Sequence, residues 1–167
     1  MKIPCILAAT HAFKYLNNPL RRVDEYYDAG VPHPLPVTVA YIADGIKKLR
    51  AVQSDRPATL WRGMKNLRVS DEFMAMRRGG TESAPMSTTT KLSLAAHYGV
   101  SGGTLLFKIK VDNVMQIGAS LEFLTAFPGE AEVCFPPLTY LQPTGRTQDV
   151  RVGETCFHVV EVDPHLA

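Results

Sequence analysis

The order of helix-type and strand-type segments is the feature that most constrains the fold of this chain. Residues 1–56 carry apolar side chains at helical spacing, interrupted by a proline-rich break at residues 32–36. Residues 57–167 are rich in strand-type segments, among which 104–111 (TLLFKIKV) alternates regularly between two faces. Strands that follow one another with few helices between them favour an antiparallel α+β sheet over a doubly wound one. We therefore predict one α+β domain over residues 1–167, with a helical lead-in and a strand-rich core.

The predicted elements follow from spacing, capping and turn signals. Thr38 is expected to cap the third helix and Thr90 the fourth, because threonine oxygens accept hydrogen bonds from the first backbone amides of a helix. Helices are predicted at residues 5–16, 20–28, 39–52 and 92–98. Strands are predicted at residues 59–62, 85–89, 104–111, 130–135 and 155–162, with turns or loops at 54–57, 77–80, 101–103 and 118–129.

Charge and composition exclude several classes of function. The net charge of +2 is small and no basic stripe is visible, so we expect no nucleic-acid partner. The three cysteines (Cys5, Cys134 and Cys156) fit neither a zinc pattern nor a disulfide framework, and we expect all three to be small buried side chains. The five histidines show no ligand spacing, so we expect no metal.

The apolar run in residues 1–10 is too short for a membrane span and makes a poor signal peptide. We accordingly expect a monomer, cytoplasmic or of unassigned compartment, with no membrane partner.

Two glutamates head a strand-type segment in residues 128–137 (PGEAEVCFPP). In a strand, Glu130 and Glu132 would share one face, roughly 6.6 Å apart along the chain. Val133 and Phe135 would face the core. Carboxylates at that separation suit chemistry at a sugar carbon, where one stabilises positive charge and the other handles a proton. The alternative is a strand end at the surface with both glutamates solvated.

Two further segments carry polar groups in strand-type surroundings. Arg62 stands among apolar residues in LWRGM, and arginine holds phosphates or carboxylates in two-pronged fashion. Gly63 lets a ligand approach the backbone closely. The hydroxyls of residues 87–90 exceed what helix capping by Thr90 explains. The alternative for Arg62 is an edge-strand arginine at the surface.

Together the three segments resemble the arginine–serine–glutamate class of mono-ADP-ribosyltransferases. Arg62, Ser87 and the pair Glu130–Glu132 occur in the order of that class, about 25 and 43 residues apart. The stretch YLNNPLR, residues 15–21, is similar to the helical lead-in of eukaryotic and effector-type members. The resemblance covers most of the chain. It implies an ADP-ribosyltransferase-like fold in which a split, mostly antiparallel β-sheet surrounds an NAD cleft.

On the NAD side, the resemblance implies a role for each matching residue. Arg62 would hold the pyrophosphate or the phosphate on the nicotinamide side, and the backbone of Gly63 would take the nicotinamide amide. Ser87 would hydrogen-bond to the catalytic glutamate, and Thr88 and Thr89 would shape the cleft. Thr89 stands where serine is more usual, and it keeps the hydroxyl.

On the acceptor side, Glu132 would stabilise the cationic ribose and bind its 2′-hydroxyl. Glu130 would orient the acceptor and take its proton. A first glutamate in this pair implies a protein arginine as acceptor. The loop at residues 118–129, with Phe123 and Phe127, would face that acceptor.

Three other functions remain open. An NAD glycohydrolase without a protein acceptor would carry the same motifs. An inactive module that binds NAD or a protein would keep the fold, although the intact motifs argue against it. A glycoside hydrolase suits the glutamate pair poorly, because its carboxylates must flank the scissile bond. The poly(ADP-ribose) polymerase class has a histidine in the place of Arg62, which argues against polymer synthesis.

Overall fold

The computed structural model of the chain describes residues 11–53, 58–64, 67–75, 78–99, 105–124 and 128–166. The start of the first predicted helix, the loop at 54–57, the turn at 101–103, Cys5 and Phe127 lie outside these residues. The helices are α1 (His11–Arg21), α2 (Val23–Asp28), α3 (Pro36–Val52), α4 (Asp71–Met74) and α5 (Leu92–Gly99). The strands are β1 (Ala58–Met64), β2 (Gly80–Glu82), β3 (Met86–Thr89), β4 (Leu105–Val111), β5 (Ala119–Ser120), β6 (Glu132–Phe135), β7 (Thr139–Val152) and β8 (Thr155–His165).

The helical lead-in has helices in the predicted regions, but α1 continues to Arg21 across the predicted break at residues 17–19, and the capping of α3 also differs. Gly30 has a φ of 64°, a conformation that suits glycine and marks the turn after α2. Helix α3 is preceded by Leu35 as N-cap and has Pro36 at its start. Proline is favoured there because its fixed φ matches the helix and its missing N–H is not needed. Thr38 therefore lies inside the helix, and its predicted capping role is wrong.

The eight strands form one sheet in the order β2-β7-β8-β4-β1-β3-β6-β5. The pairing of β4 with β8 is parallel and the other pairings are antiparallel. The predicted α+β class with a mostly antiparallel sheet is confirmed. Strand β1 faces β4 from Ala58 to Met64 but meets β3 at the single pair Trp61–Thr89. This narrow junction divides the sheet into a β1 side and a β3 side.

The core lies on both faces of the central strands. In β4, alternate residues pack in the main cluster as predicted: Leu105, Phe107, Ile109 and Val111. On the other face, Ala95 and Ala96 of α5 pack against Leu106. Ile46 of α3 packs against Ala119, Leu121 and Cys134, which brings the lead-in onto the β5–β6 edge.

The long β7–β8 hairpin exceeds the prediction. Strand β7 was not expected from the sequence, and β8 continues to His165 rather than ending at residue 162. Beyond Thr144, β7 is largely exposed, and its pairing with β8 shifts register between Pro143 and Thr147. Beyond Thr144, β7 thus lacks the regular alternation by which strands are recognised.

Two expectations about side chains have different outcomes. Cys134 is buried, as predicted, whereas Cys156 is exposed at the start of β8, so its predicted burial is wrong.

None of the described helices is both long and apolar enough to cross a membrane. Within the described ranges, no cluster of three or more histidine, cysteine or acidic residues could hold a metal ion.

Candidate active site

A hydroxyl and a buried carboxylate meet between β3 and β6. Ser87 Oγ donates a hydrogen bond of 2.6 Å to Glu132 Oε1. Glu132 is 5% exposed, in a strand whose residues are all buried. The antiparallel register sets Ser87 opposite Cys134, so Ser87 reaches Glu132 diagonally across the pair. A short hydrogen bond to a carboxylate is strong, and it fixes the orientation of Glu132.

Glu130 does not belong to the strand, which corrects the prediction that both glutamates share one face. It is the last residue of a 3₁₀ turn, Pro128–Glu130, and β6 begins at Glu132. Between them, Ala131 has a φ of 45°, which breaks the strand alternation. Val133 and Phe135 do face the main core, as expected.

The threonines of β3 fasten it to β6 and to the residues before it. Thr88 Oγ1 donates to Val133 O at 2.7 Å, and both Thr88 and Thr89 are buried. Thr89 Oγ1 donates to Glu130 O at 2.6 Å and accepts from Lys91 N at 3.1 Å. The hydroxyl that bonds the chain entering α5 is therefore that of Thr89 rather than the expected Thr90.

Arg62 reaches the same place from the other side of the narrow junction. Its Nη1 donates to Ser87 O at 2.9 Å, and its Nε lies 3.3 Å from Met64 Sδ. Its Nη2 pairs with Glu82 Oε2 at 3.2 Å. Burial lowers the pKa of the Arg62 guanidinium, and the carboxylate of Glu82 opposes that shift. Gly63 follows Arg62 in β1.

Arg21 and Glu82 are residues that sequence reasoning missed. Arg21 Nε and Nη2 donate to the two carboxylate oxygens of Glu82 at 2.9 and 3.2 Å. Glu82 Oε1 also accepts from Ala84 N at 3.1 Å. Glu82 thus bridges two guanidinium groups, one from α1 and one from β1. Arg21 closes the YLNNPLR stretch that carried the resemblance, whereas nothing in the sequence around Glu82 signals its role.

These contacts bring opposite charges to one point of the fold. Arg62 bonds to the carbonyl of Ser87, and the hydroxyl of that same Ser87 bonds to Glu132. A guanidinium suits an anionic group such as a phosphate, and a fixed carboxylate suits a centre that develops positive charge. The site can therefore bind one ligand that carries both an anionic group and a centre that develops positive charge.

Comparison with known proteins finds likeness in structure only. No protein-family model matches the sequence, and a search of curated proteins finds no match. The ADP-ribosyltransferase HopU1 of Pseudomonas syringae pv. tomato DC3000 matches with a TM-score of 0.70 at 18% identity, over 93% of this chain and 66% of that one. Vis, an ADP-ribosyltransferase from Vibrio splendidus, was solved in complex with agmatine. It matches with a TM-score of 0.62 at 20% identity, over 95% of this chain and 71% of that one.

A third solved structure is exoenzyme S of Pseudomonas aeruginosa, in complex with human 14-3-3 protein beta and bound to carba-NAD. It matches with a TM-score of 0.58 at 13% identity, over 92% of this chain and 67% of that one. The chain thus spans about two thirds of the length of HopU1 and of exoenzyme S. It has the ADP-ribosyltransferase fold.

Proposed function

We propose that the chain is an NAD-dependent mono-ADP-ribosyltransferase that moves ADP-ribose from NAD to a protein arginine and releases nicotinamide. The observation that carries this proposal is the Arg62–Ser87–Glu132 constellation, in which one serine links the guanidinium to the buried carboxylate. It combines a group for the pyrophosphate with a group for a cationic sugar, on a fold shared with ADP-ribosyltransferases.

On NAD, the first event is cleavage of the bond between the ribose and nicotinamide. Nicotinamide leaves as a neutral base with the bonding electrons, and the ribose carbon becomes oxocarbenium-like. Glu132 stabilises that charge and accepts a hydrogen bond from the ribose 2′-hydroxyl, while Ser87 keeps its carboxylate in place. Arg62 holds the pyrophosphate, and the backbone of Gly63 takes the nicotinamide amide. Because Glu132 is nearly excluded from water, its charge acts with little screening.

The acceptor approaches from the side of the turn that ends at Glu130. An arginine guanidinium is a poor nucleophile because its pKa lies above about 12. Glu130 attracts the guanidinium and takes its proton as the new carbon–nitrogen bond forms. Phe123 is 66% exposed in the preceding loop and supplies an apolar surface for the acceptor protein. The complex of Vis with agmatine and that of exoenzyme S with carba-NAD support, by likeness of fold, an arginine-type acceptor and NAD.

The test is nicotinamide release from NAD with and without agmatine, a small arginine mimic, together with detection of ADP-ribosyl-agmatine. The wild-type chain is expected to form the adduct and to release nicotinamide faster when agmatine is present. A rate of nicotinamide release that agmatine does not change would identify a glycohydrolase or an enzyme with another acceptor. Binding of NAD without release would identify a binding module.

Two variants separate the proposed roles of the glutamates. Glu132→Ala is expected to abolish both NAD cleavage and transfer, because it removes the group beside the developing charge. Glu130→Ala is expected to lose transfer and to keep part of the cleavage without agmatine. Glu154→Ala, at the exposed turn of the β7–β8 hairpin, is the matched control. Equal loss of both activities in the two active-site variants contradicts the separate roles.

A further inference from the structure

The turn that carries Glu130 holds an unfavourable backbone conformation. We define the Glu130 turn as residues 128–131, the 3₁₀ turn together with Ala131. The φ of 45° at Ala131 is a conformation that alanine rarely adopts, since its Cβ crowds the backbone there. Such a conformation persists only where the surrounding contacts impose it. The contacts around this turn therefore determine where Glu130 stands.

Two hydrogen bonds from one short segment are among those contacts. Thr89 Oγ1 donates to Glu130 O at 2.6 Å, and Lys91 Nζ donates to Gly129 O at 2.7 Å. The two donors are linked, because Thr89 Oγ1 also accepts from Lys91 N. Consecutive carbonyls of the Glu130 turn are thus held by the last residue of β3 and by the residue that precedes α5.

Glu132 is held by different contacts. It lies in β6, opposite Thr89 in the ladder, and its carbonyl accepts from Leu121 N at 2.9 Å. Its carboxylate is fixed by Ser87. Loosening the Glu130 turn should therefore displace Glu130 while Glu132 keeps its place.

We propose that Lys91 is a positioning residue that, with Thr89, clamps the Glu130 turn and so sets Glu130 for the acceptor. The proposal rests on the function proposed above and assigns to Lys91 the coupling between NAD cleavage and transfer. Lys91 acts through a backbone carbonyl and needs no contact with NAD. Its loss should change how the cleaved ADP-ribose is divided between agmatine and water, rather than how fast NAD is cleaved.

The variants are chosen to remove or keep the donor. Lys91→Met keeps the aliphatic stem and loses the hydrogen bond, whereas Lys91→Arg keeps a donor. Lys48→Met is the matched control, because Lys48 is an exposed lysine on α3 that pairs with Asp44. Thr89→Val and Thr89→Ser form a second pair, of which only the serine variant retains the hydroxyl.

The first readout is the ratio of ADP-ribosyl-agmatine to free ADP-ribose at fixed agmatine. Lys91→Met is expected to lower this ratio about fivefold, which is what the loss of one hydrogen bond is worth. It should raise the KM for agmatine and leave the KM for NAD and the cleavage rate without agmatine unchanged. Lys91→Arg should restore the ratio. A Lys91→Met enzyme with the wild-type ratio overturns the proposal.

The second readout does not depend on activity. Hydrogen exchange of the backbone amides in residues 129–132 should be faster in Lys91→Met and in Thr89→Val than in the wild type, Lys48→Met or Thr89→Ser. Unchanged exchange in Lys91→Met overturns the clamp. A wild-type chain that cleaves NAD without forming an adduct refutes the arginine acceptor and, with it, the coupling assigned to Lys91. The exchange data then still decide whether the clamp exists.

Discussion

Replacing Glu82 by glutamine removes the carboxylate that Arg21 and Arg62 share. Glutamine keeps the volume and an oxygen that can accept from Ala84 N, but it carries no charge. The two guanidinium groups would then converge on a neutral amide. Glu82→Gln should therefore destabilise the fold as well as the site.

The magnitude follows from the burial of the three side chains. Arg62 and Glu82 are 16% and 13% exposed, and Arg21 is 34% exposed. With an effective dielectric constant of about 20, each pair attracts by about 4 kcal/mol at 4 Å. Desolvation opposes most of this gain, and exposed pairs contribute at most about 1 kcal/mol. We expect a net loss of about 2 kcal/mol, which lowers the Tm by roughly 4–8 °C for a chain of this size.

Thermal unfolding followed by circular dichroism at neutral pH measures this loss. Glu25→Gln is the matched control, since Glu25 pairs with Arg22 at 3.5 Å with both side chains at least 60% exposed. It should change the stability by less than about 0.5 kcal/mol. A Glu82→Gln chain that melts within about 1 °C of the control refutes the reasoning. A double variant with Arg21→Met should lose less than the sum of the two single variants.

Three further predictions concern the sheet and helix α3. The hydrogen bond from Lys108 lowers the pKa of Glu161 below its usual 4.5. The ionised Glu161 side chain therefore stabilises the fold above pH 4.5, and this stabilisation is lost as the pH falls through the folded-state pKa. Glu161→Gln should therefore melt below the wild type at pH 7 and approach it at about pH 3; an equal deficit at both pH values contradicts this. A Cβ on Gly118 would lie 2.5 Å from Cys134 O, so Gly118→Ala should cost about 1–3 kcal/mol in the free energy of unfolding. Gly45→Ala, in open space within α3, should instead gain about 0.5–1 kcal/mol. A shift opposite in sign to the expected one would contradict the assignment of that glycine.

The parts of the fold that could be predicted are those in which buried apolar residues recur at a regular spacing along the sequence. Strand β4 is an example, since its alternate residues from Leu105 to Val111 pack in one cluster. Strand β7 is the opposite case, because its second half is exposed and is held by pairing with β8 rather than by burial. The hydrogen bonds between two strand backbones do not require particular side chains, so an exposed strand of this kind is hard to predict from the sequence.

The candidate site divides in the same way. Arg62, Ser87 and Glu132 were recognised because each stands in a short motif and the three occur in a known order. The strand assignment of Glu130 failed because alanine rarely adopts the left-handed backbone conformation, so the sequence gives no signal of it at Ala131. Glu82 was missed because its partners lie 20 and 61 residues away, beyond any local pattern. Only the folded chain brings these charges together.

The narrow junction between β1 and β3 has a consequence for how the fold would respond to a bound ligand. Arg62 stands on one side of the single Trp61–Thr89 pair, and Ser87 with Glu132 stands on the other. A ligand that contacts residues on both sides would connect the two parts of the sheet at the narrow junction, where the strands of the sheet are least paired. Occupancy should then raise the Tm with ligand concentration. A substitution that weakens the narrow junction should lower the affinity for such a ligand before it unfolds the chain.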